Sequence, residues 1–141
     1  MTVRLKRVYE APSAKDGARV LVDRLWPRGL TKGAAALDAW LKDIAPSHEL
    51  RKWYHAHSSQ WMKFRKQYLS ELSNDAAHAG LQQLHDLAGK RKGVTLLFAA
   101  RDLEKNHALV LKELVEGERK PPTGTGRAAA VAARVRAARK R

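Results

Sequence analysis

The chain has 141 residues, of which 44% are hydrophobic, and it carries a formal net charge of +14. This length fits one domain with one hydrophobic core. The chain contains no cysteine, which excludes disulfides, thiolate metal sites and cysteine nucleophiles. No stretch approaches the roughly 18 to 20 apolar residues of a membrane-spanning helix, and the first residues do not resemble a signal peptide. The sequence therefore predicts a cytoplasmic protein.

The positive charge is distributed unevenly along the chain. Residues 1–116 hold 20 Lys and Arg against 13 Asp and Glu, whereas residues 117–141 hold 8 against 1. The second segment also contains a Thr-Gly-Thr-Gly stretch and is rich in Ala and Arg, with too few large apolar residues to pack stably. We therefore expect a folded domain over residues 1–117 and a flexible basic tail over residues 118–141.

Three short apolar segments predict β-strands. Residues 3–9 contain β-branched and aromatic side chains with partial alternation, and residues 19–23 form an apolar run that ends in charge. Residues 94–100 are uncharged throughout, as expected for a strand that is covered on both faces. The second and third segments are therefore predicted to lie in the centre of a sheet.

Polar caps and apolar spacing predict the helices. They are expected over residues 47–55, from about residue 58 onward, over residues 75–88 and over residues 106–114. Residues 39–41 predict a short helical or irregular piece. The alternation of strands and helices indicates an α/β fold, a small three-layer sandwich with a short, mostly parallel central sheet flanked by helices.

Charged and aromatic side chains follow the second and third predicted strands. They are Asp23, Arg24, Trp26 and Arg28 after the second strand, Arg101 and Asp102 after the third, and His107 one turn into the next helix. In open α/β sheets, ligands bind beyond the carboxyl ends of the strands. Arginine side chains bind phosphate or carboxylate groups through paired N–H donors, and a tryptophan offers an aromatic face. The pattern therefore indicates a ligand site at this edge.

The acidic residues and the histidine of this cluster have two interpretations. Asp23, Asp102 and His107 are candidate catalytic residues, with the histidine acting as acid or base near neutral pH. Alternatively, the two carboxylates neutralise the neighbouring arginines in an internal salt-bridge network, and the histidine caps or packs. The spacing of the other histidines predicts no metal site, and no motif indicates a cofactor.

The motif from Asp23 to Gly29, which reads DRLWPRG, resembles the YeaO-like family of bacterial proteins, a branch of a domain family of unknown function. The positions that match the family pattern are Asp23, Arg24, Trp26, Pro27, Arg28, Lys42, Ser47, Arg51, Trp53, Asp102, Asn106 and His107. The resemblance implies no activity. The wider domain family is distantly similar to rhodanese-like domains, and some members of that wider family carry a Cys-His pair after the last strand, where this chain has Asn106 and His107. Without the thiol, sulfur transfer through a persulfide is excluded.

Two functions are compatible with these observations. The first is the binding of a small anion, a phosphate or a carboxylate, and the predicted ligand-binding residues are Arg24, Trp26, Arg28, Lys42, Arg51 and Arg101. The alternative is non-specific association with nucleic acid through the tail, and its predicted contacts are Arg134, Arg136, Arg139, Lys140 and Arg141. Whether the protein is an enzyme, and its oligomeric state, stay open.

Overall fold

The computed structural model describes residues 2–117, so Arg134 and the other predicted contacts of the tail lie outside the described residues. The strands are β1 (Val3–Arg7), β2 (Ala18–Leu21), β3 (Ala39–Trp40) and β4 (Val94–Phe98). The helices are α1 (Lys32–Ala35), α2 (His48–Ala56), α3 (Trp61–Glu71), α4 (Asp75–Ala88) and α5 (His107–Gly117). Single 3-10 turns are formed by Ala14–Asp16 and by Lys42–Ile44.

The four described strands form one fully parallel sheet with the order β1-β4-β2-β3. Strand β4 pairs with both β1 and β2, and Val94 lies beside Val3 on one side and Ala18 on the other. All five residues of β4 are buried, as expected for an uncharged strand that is covered on both faces. The prediction of an α/β fold with β2 and β4 at its centre is confirmed.

The longer helices, α2 to α5, pack on one face of the sheet. Their apolar stripes meet Val20 and Leu96 of the central strands, and Phe64 of α3, Leu84 of α4 and Leu111 of α5 are each at most 2% exposed. Burying a side chain of this size stabilises the fold by about 1.5 to 3 kcal/mol. This layer therefore contains most of the hydrophobic core.

The opposite face of the sheet has a thinner cover. A smaller cluster of Val8, Leu21 and Leu97 packs there against Trp26 and Trp40. The segments that cover this face are α1, the turn Ala14–Asp16 and the loops beside them. The third layer of the sandwich thus consists of single turns and loops, whereas long helices cover the other face.

A buried ion pair lies under this thin layer. Arg19 Nη1 is 2.5 Å from Asp16 Oδ2, and both residues are at most 5% exposed. Arg19 also donates to the carbonyl oxygen of Ala35, and Lys6 Nζ lies 3.2 Å from both carboxylate oxygens. Burial alone would raise the pKa of Asp16, but hydrogen bonds from the Ser13 N–H, Arg19 and Lys6 outweigh it and lower that pKa. The pair is therefore fully hydrogen-bonded and structural.

Two local predictions are wrong. Residues 39–41, predicted as helical or irregular, include β3, because Ala39 and Trp40 pair with Val20 and Leu21 of β2. His107 was expected one turn into the last helix, but it is the first residue of α5, because Asn106 caps that helix by accepting from the Leu109 N–H.

None of the helices described within residues 2–117 has the length and hydrophobicity to cross a membrane.

Candidate functional site at the carboxyl edge of the sheet

The carboxyl ends of the strands meet at one edge because the sheet is fully parallel. Strand β2 continues into residues 22–31 and β4 into residues 99–106. We call these segments the β2 loop and the β4 loop. Of the predicted site residues within residues 2–117, Asp23, Arg24, Trp26, Arg28, Arg101 and Asp102 lie on one of them.

Asp23 joins the two loops. Its Oδ2 accepts a hydrogen bond of 3.0 Å from the Ala99 N–H of the β4 loop, and its backbone carbonyl accepts one of 2.7 Å from Trp40 Nε1. The other carboxylate oxygen, Oδ1, lies 3.0 Å from His107 Nε2. Oδ1 is buried and, among residues 2–117, no donor approaches it with the direction of a regular hydrogen bond. Asp23 is therefore turned inward, away from the predicted arginine partners.

His107 is fixed by the same loop. Besides its approach to Asp23, its Nε2 lies 3.1 Å from the carbonyl oxygen of Val22. Its ring stands edge-on to the buried ring of Tyr68, with 6.3 Å between centroids. Burial, together with the charges of Glu71 and Asp23, raises the pKa of Tyr68 well above its usual value. These contacts place the Asp23 and His107 pair against the core.

Arg24 fastens the β2 loop to the segment before α2. Its Nε donates to the carbonyl oxygen of Pro46 at 3.1 Å and its Nη2 to that of Ala45 at 3.0 Å. The next residue, Ser47, caps α2 by accepting from the Leu50 N–H, as predicted. The Arg24 guanidinium is thus engaged by backbone carbonyls, and neither Asp23 nor Asp102 neutralises it.

Trp26 packs into the thin layer. Its Nε1 donates to the carbonyl oxygen of Leu30 at 2.7 Å, and its ring meets Trp40 edge-on at 5.3 Å between centroids.

Lys42 Nζ lies 4.2 Å from the Trp40 ring centroid. Lys42 also lines a groove of about 320 Å³ between β3 and α4, which is bordered by Trp40, Leu41, Asp43, Ala76, Ala79, Gly80 and Gln83. Lys42 therefore belongs to a groove whose lining includes no residue of the β2 or β4 loops.

Arg28 stands at the tip of a tight turn. The Leu30 N–H donates to the carbonyl oxygen of Pro27, and Gly29 adopts the positive φ of +75° that such a turn favours. Tyr9 Oη donates to the carbonyl oxygen of Arg28 at 2.9 Å. The turn therefore presents the Arg28 side chain to solvent on a firmly held backbone.

Asp102 folds the β4 loop. Its Oδ1 accepts from the N–H groups of Lys105 and Glu104 at 2.9 and 2.8 Å. These hydrogen bonds lower the pKa of Asp102, and the nearby Lys105 charge adds to the effect. A carboxyl group with a lowered pKa is almost entirely ionised near neutral pH, so it rarely holds the proton that a general acid must donate.

Helix α2 reaches the same edge through Tyr54, whose Oη donates to the carbonyl oxygen of Lys105 at 3.4 Å. Arg51 precedes Tyr54 by three residues and therefore lies on the same side of α2. The side chains of Arg28, Arg51 and Arg101 are all exposed. Within residues 2–117 they form no hydrogen bond or ion pair.

Arg7 and Tyr9 also lie at this edge and were not predicted from the sequence. Arg7 donates to the carbonyl oxygens of Ala99 and Ala100, and its guanidinium lies 5.1 Å from the Tyr9 ring centroid. Their place at the end of β1 was the available signal, because in a parallel sheet this strand ends at the same edge as β2 and β4.

No group of three or more His, Asp or Glu side chains within residues 2–117 is placed to hold a metal ion.

Comparisons with known proteins agree with the resemblance of the DRLWPRG motif. The chain is 46% identical over 113 residues to the protein named Uncharacterized protein YeaO from Escherichia coli (strain K12), which covers 80% of this chain and 96% of that protein. It is 44% identical over 115 residues to Uncharacterized protein Rv3073c from Mycobacterium tuberculosis (strain ATCC 25618 / H37Rv), covering 82% of this chain and 94% of that protein. No solved structure matches the chain significantly.

The family model DUF488-N3i, described as the inactive DUF488-N3 subclade, matches residues 2–131. The match includes the whole sheet and both loops of the carboxyl edge. The chain therefore belongs to the DUF488-N3i family.

Proposed function

We propose that the domain binds a small anionic ligand, one that bears a phosphate or a carboxylate, at the carboxyl edge of the sheet. The ligand contacts are Arg28, Arg51 and Arg101. The observation that supports this role is their arrangement: three exposed guanidinium groups, unpaired within residues 2–117, come from three segments that hydrogen bonds hold together. Arginine is suited to such ligands because its planar fork matches the geometry of both anions.

The framework around the three arginines is held at several points. The Asp23 carboxylate joins the β2 and β4 loops, Arg24 joins the β2 loop to the start of α2, and Tyr54 joins α2 to the β4 loop. A site whose supporting segments are fixed loses little conformational entropy when a ligand binds. This supports a binding site over a coincidental charge cluster.

The carboxylates of this edge do not neutralise the three arginines. Asp23 faces Ala99 and His107, Asp102 accepts from its own loop, and Glu10 accepts from the Arg7 N–H at 3.2 Å. Because no carboxylate within residues 2–117 forms an ion pair with Arg28, Arg51 or Arg101, their positive charge attracts anions.

This proposal gives Asp23, Asp102 and His107 structural roles and assigns them no catalytic one. The description of the family as an inactive subclade supports binding over catalysis. The sequence also suggested Arg24, Trp26 and Lys42 as ligand contacts. Arg24 and Trp26 shape the site by holding the β2 loop in place, and Lys42 lies apart from it in the groove between β3 and α4.

The test is thermal stabilisation of the full chain by inorganic phosphate and by a panel of phosphorylated and carboxylated metabolites. A ligand at about 100 times its Kd stabilises the native state by about 2.7 kcal/mol. We expect Arg28→Ala and Arg101→Ala to reduce the shift of a ligand that stabilises the wild type. Arg91→Ala, which removes an exposed arginine from the turn before β4 at the opposite edge, is the matched control. Equal shifts in Arg28→Ala and Arg91→Ala, or no shift in the wild type, would contradict the proposal.

A second candidate function is association with nucleic acid through the basic tail, supported by the 8 Lys and Arg against 1 Glu in residues 117–141. Binding of this kind weakens steeply with salt because each phosphate contact releases counterions. Replacing Arg134, Arg136, Arg139, Lys140 and Arg141 with glutamine in the full chain should flatten the salt dependence. An unchanged slope would exclude a role for the tail.

A further inference from the structure

Helices α2 and α3 carry four cations that the carboxyl-edge site does not use, Lys52, Lys63, Arg65 and Lys66, whereas Arg51 belongs to that site. Residues 51–70 contain five Lys and Arg and no Asp or Glu. Of these cations, Arg65 pairs with Glu113 at 3.4 Å. Lys52, Lys63 and Lys66 are exposed and form no ion pair within residues 2–117.

An aromatic stack stands among these lysines. The rings of Trp53 and His57 are nearly parallel, with an angle of 16° and 4.8 Å between centroids. His57 Nδ1 also lies 2.8 Å from the Trp53 carbonyl oxygen, which fixes the imidazole orientation. Trp53 is half-buried and packs against the core, whereas His57 is exposed. The outer face of the imidazole is therefore a flat platform with a rigid backing.

The two features adjoin each other. Lys63 Nζ lies 5.3 Å from the Trp53 ring centroid, and Lys66 follows one helical turn later on the same side of α3. Met62, which is 69% exposed, shares the helix face of Lys66 four residues on. Cations, an exposed aromatic ring and an exposed thioether thus lie together on one surface.

We propose that this surface, formed by His57, Met62, Lys63 and Lys66, binds single-stranded nucleic acid. A base stacks on the outer face of His57, and the lysines contact the phosphates on either side. Stacking of bases on aromatic side chains, combined with a positive track for the backbone, is how proteins bind single strands without sequence preference. The absence of carboxylates from residues 51–70 matches the charge of such a partner. The proposal rests neither on the carboxyl-edge site nor on the tail.

The experiment measures the fluorescence anisotropy of a labelled oligothymidylate titrated with the full chain over a range of salt concentrations. The double variant Lys63→Ala/Lys66→Ala removes two phosphate contacts. On single strands each contact contributes about 0.7 to the slope of log affinity against log salt, so we expect the slope to fall by about 1.4. The matched control is Lys90→Ala/Lys92→Ala, which removes the same charge from the exposed turn before β4 and should keep the wild-type slope.

The stacking step has its own variants. His57→Ala should weaken binding by about fivefold or more, the lower end of the loss when a stacking ring is removed. His57→Phe keeps an aromatic plane and should retain most of the affinity. His57 is exposed, so both variants are expected to fold, which a thermal melt of each verifies.

Equal losses in the two double-lysine variants would overturn the proposal, because total charge would then explain the binding. An unchanged affinity in His57→Ala would overturn the stacking step. The stacking step would also be overturned if a duplex displaced the probe as effectively as a single strand does, since paired bases cannot stack on the ring.

Discussion

His107 Nε2 lies 3.0 Å from Asp23 Oδ1 and 3.1 Å from the carbonyl oxygen of Val22. Both neighbours are hydrogen-bond acceptors, which favours the tautomer that carries its proton on Nε2. The contact joins the first residue of α5 to the β2 loop, and the two residues are 84 positions apart in the sequence. Two residues that the sequence suggested as catalytic thus connect a helix to the central sheet.

This connection predicts an energetic coupling between Asp23 and His107. The side chains are 17% and 13% exposed, so solvent screens their interaction only weakly. In a double-mutant cycle of Asp23→Ala and His107→Ala, we expect the free energies of unfolding to show a coupling of about 1 to 2 kcal/mol. Urea denaturation of the four proteins measures it. Strict additivity of the two single losses would show that the proximity has no energetic consequence.

The parts of the fold that were predictable from the sequence have local causes. The helix Asp75–Ala88 agrees with the prediction at both ends because Asn74 caps it, apolar residues follow at helical spacing, and Gly89 comes next. Strand β4 was recognisable because five uncharged residues in a row favour a position covered on both faces. Neighbours in the sequence determine both patterns.

The features that were not predictable depend on distant backbone atoms. Arg24 reaches the carbonyls of Ala45 and Pro46, which any residue type would offer, so no side-chain pattern identifies these partners. Strand β3 has only two residues, and its pairing with β2 is visible only after the chain has folded. The arginines of the candidate site were therefore identified by type, but which of them are engaged could be learned only from the structure.

The buried Asp16 and Arg19 pair yields a second prediction. The sequence suggested only a connection in this region, because Pro12 and Gly17 mark a loop. Asp16→Asn removes the negative charge and leaves Arg19 buried without compensation, which typically costs about 3 to 5 kcal/mol. Chemical denaturation at neutral pH measures the loss. The exposed Asp43→Asn is the control and should change stability by less than about 0.5 kcal/mol.

The same pair sets a pH dependence. The pKa of Asp16 is lower in the folded protein than in the unfolded chain, so its contribution is complete above the usual carboxyl pKa of about 4. The contribution is lost as the pH falls through the lowered folded value. Asp16→Asn should therefore remove part of the acid sensitivity below about pH 4, so that the stabilities of wild type and variant converge there. A constant difference between neutral and acidic pH would contradict this assignment.

Gly29 and Gly93 have almost the same φ, so substituting each one separates backbone strain from steric crowding. Gly29 has a φ of +75° and nothing within 4 Å of the place where a Cβ would stand, whereas Gly93 has a φ of +73° and meets the backbone carbonyl oxygen of Thr2 there. Gly29→Ala should therefore cost only the left-handed strain of a non-glycine residue, about 1 to 2 kcal/mol. Gly93→Ala carries the same strain and must also displace the chain before β1, which adds at least about 1 kcal/mol. Urea denaturation of both variants compares the losses directly. Equal losses would show that residues preceding β1 yield without cost and that conformation alone requires glycine at position 93.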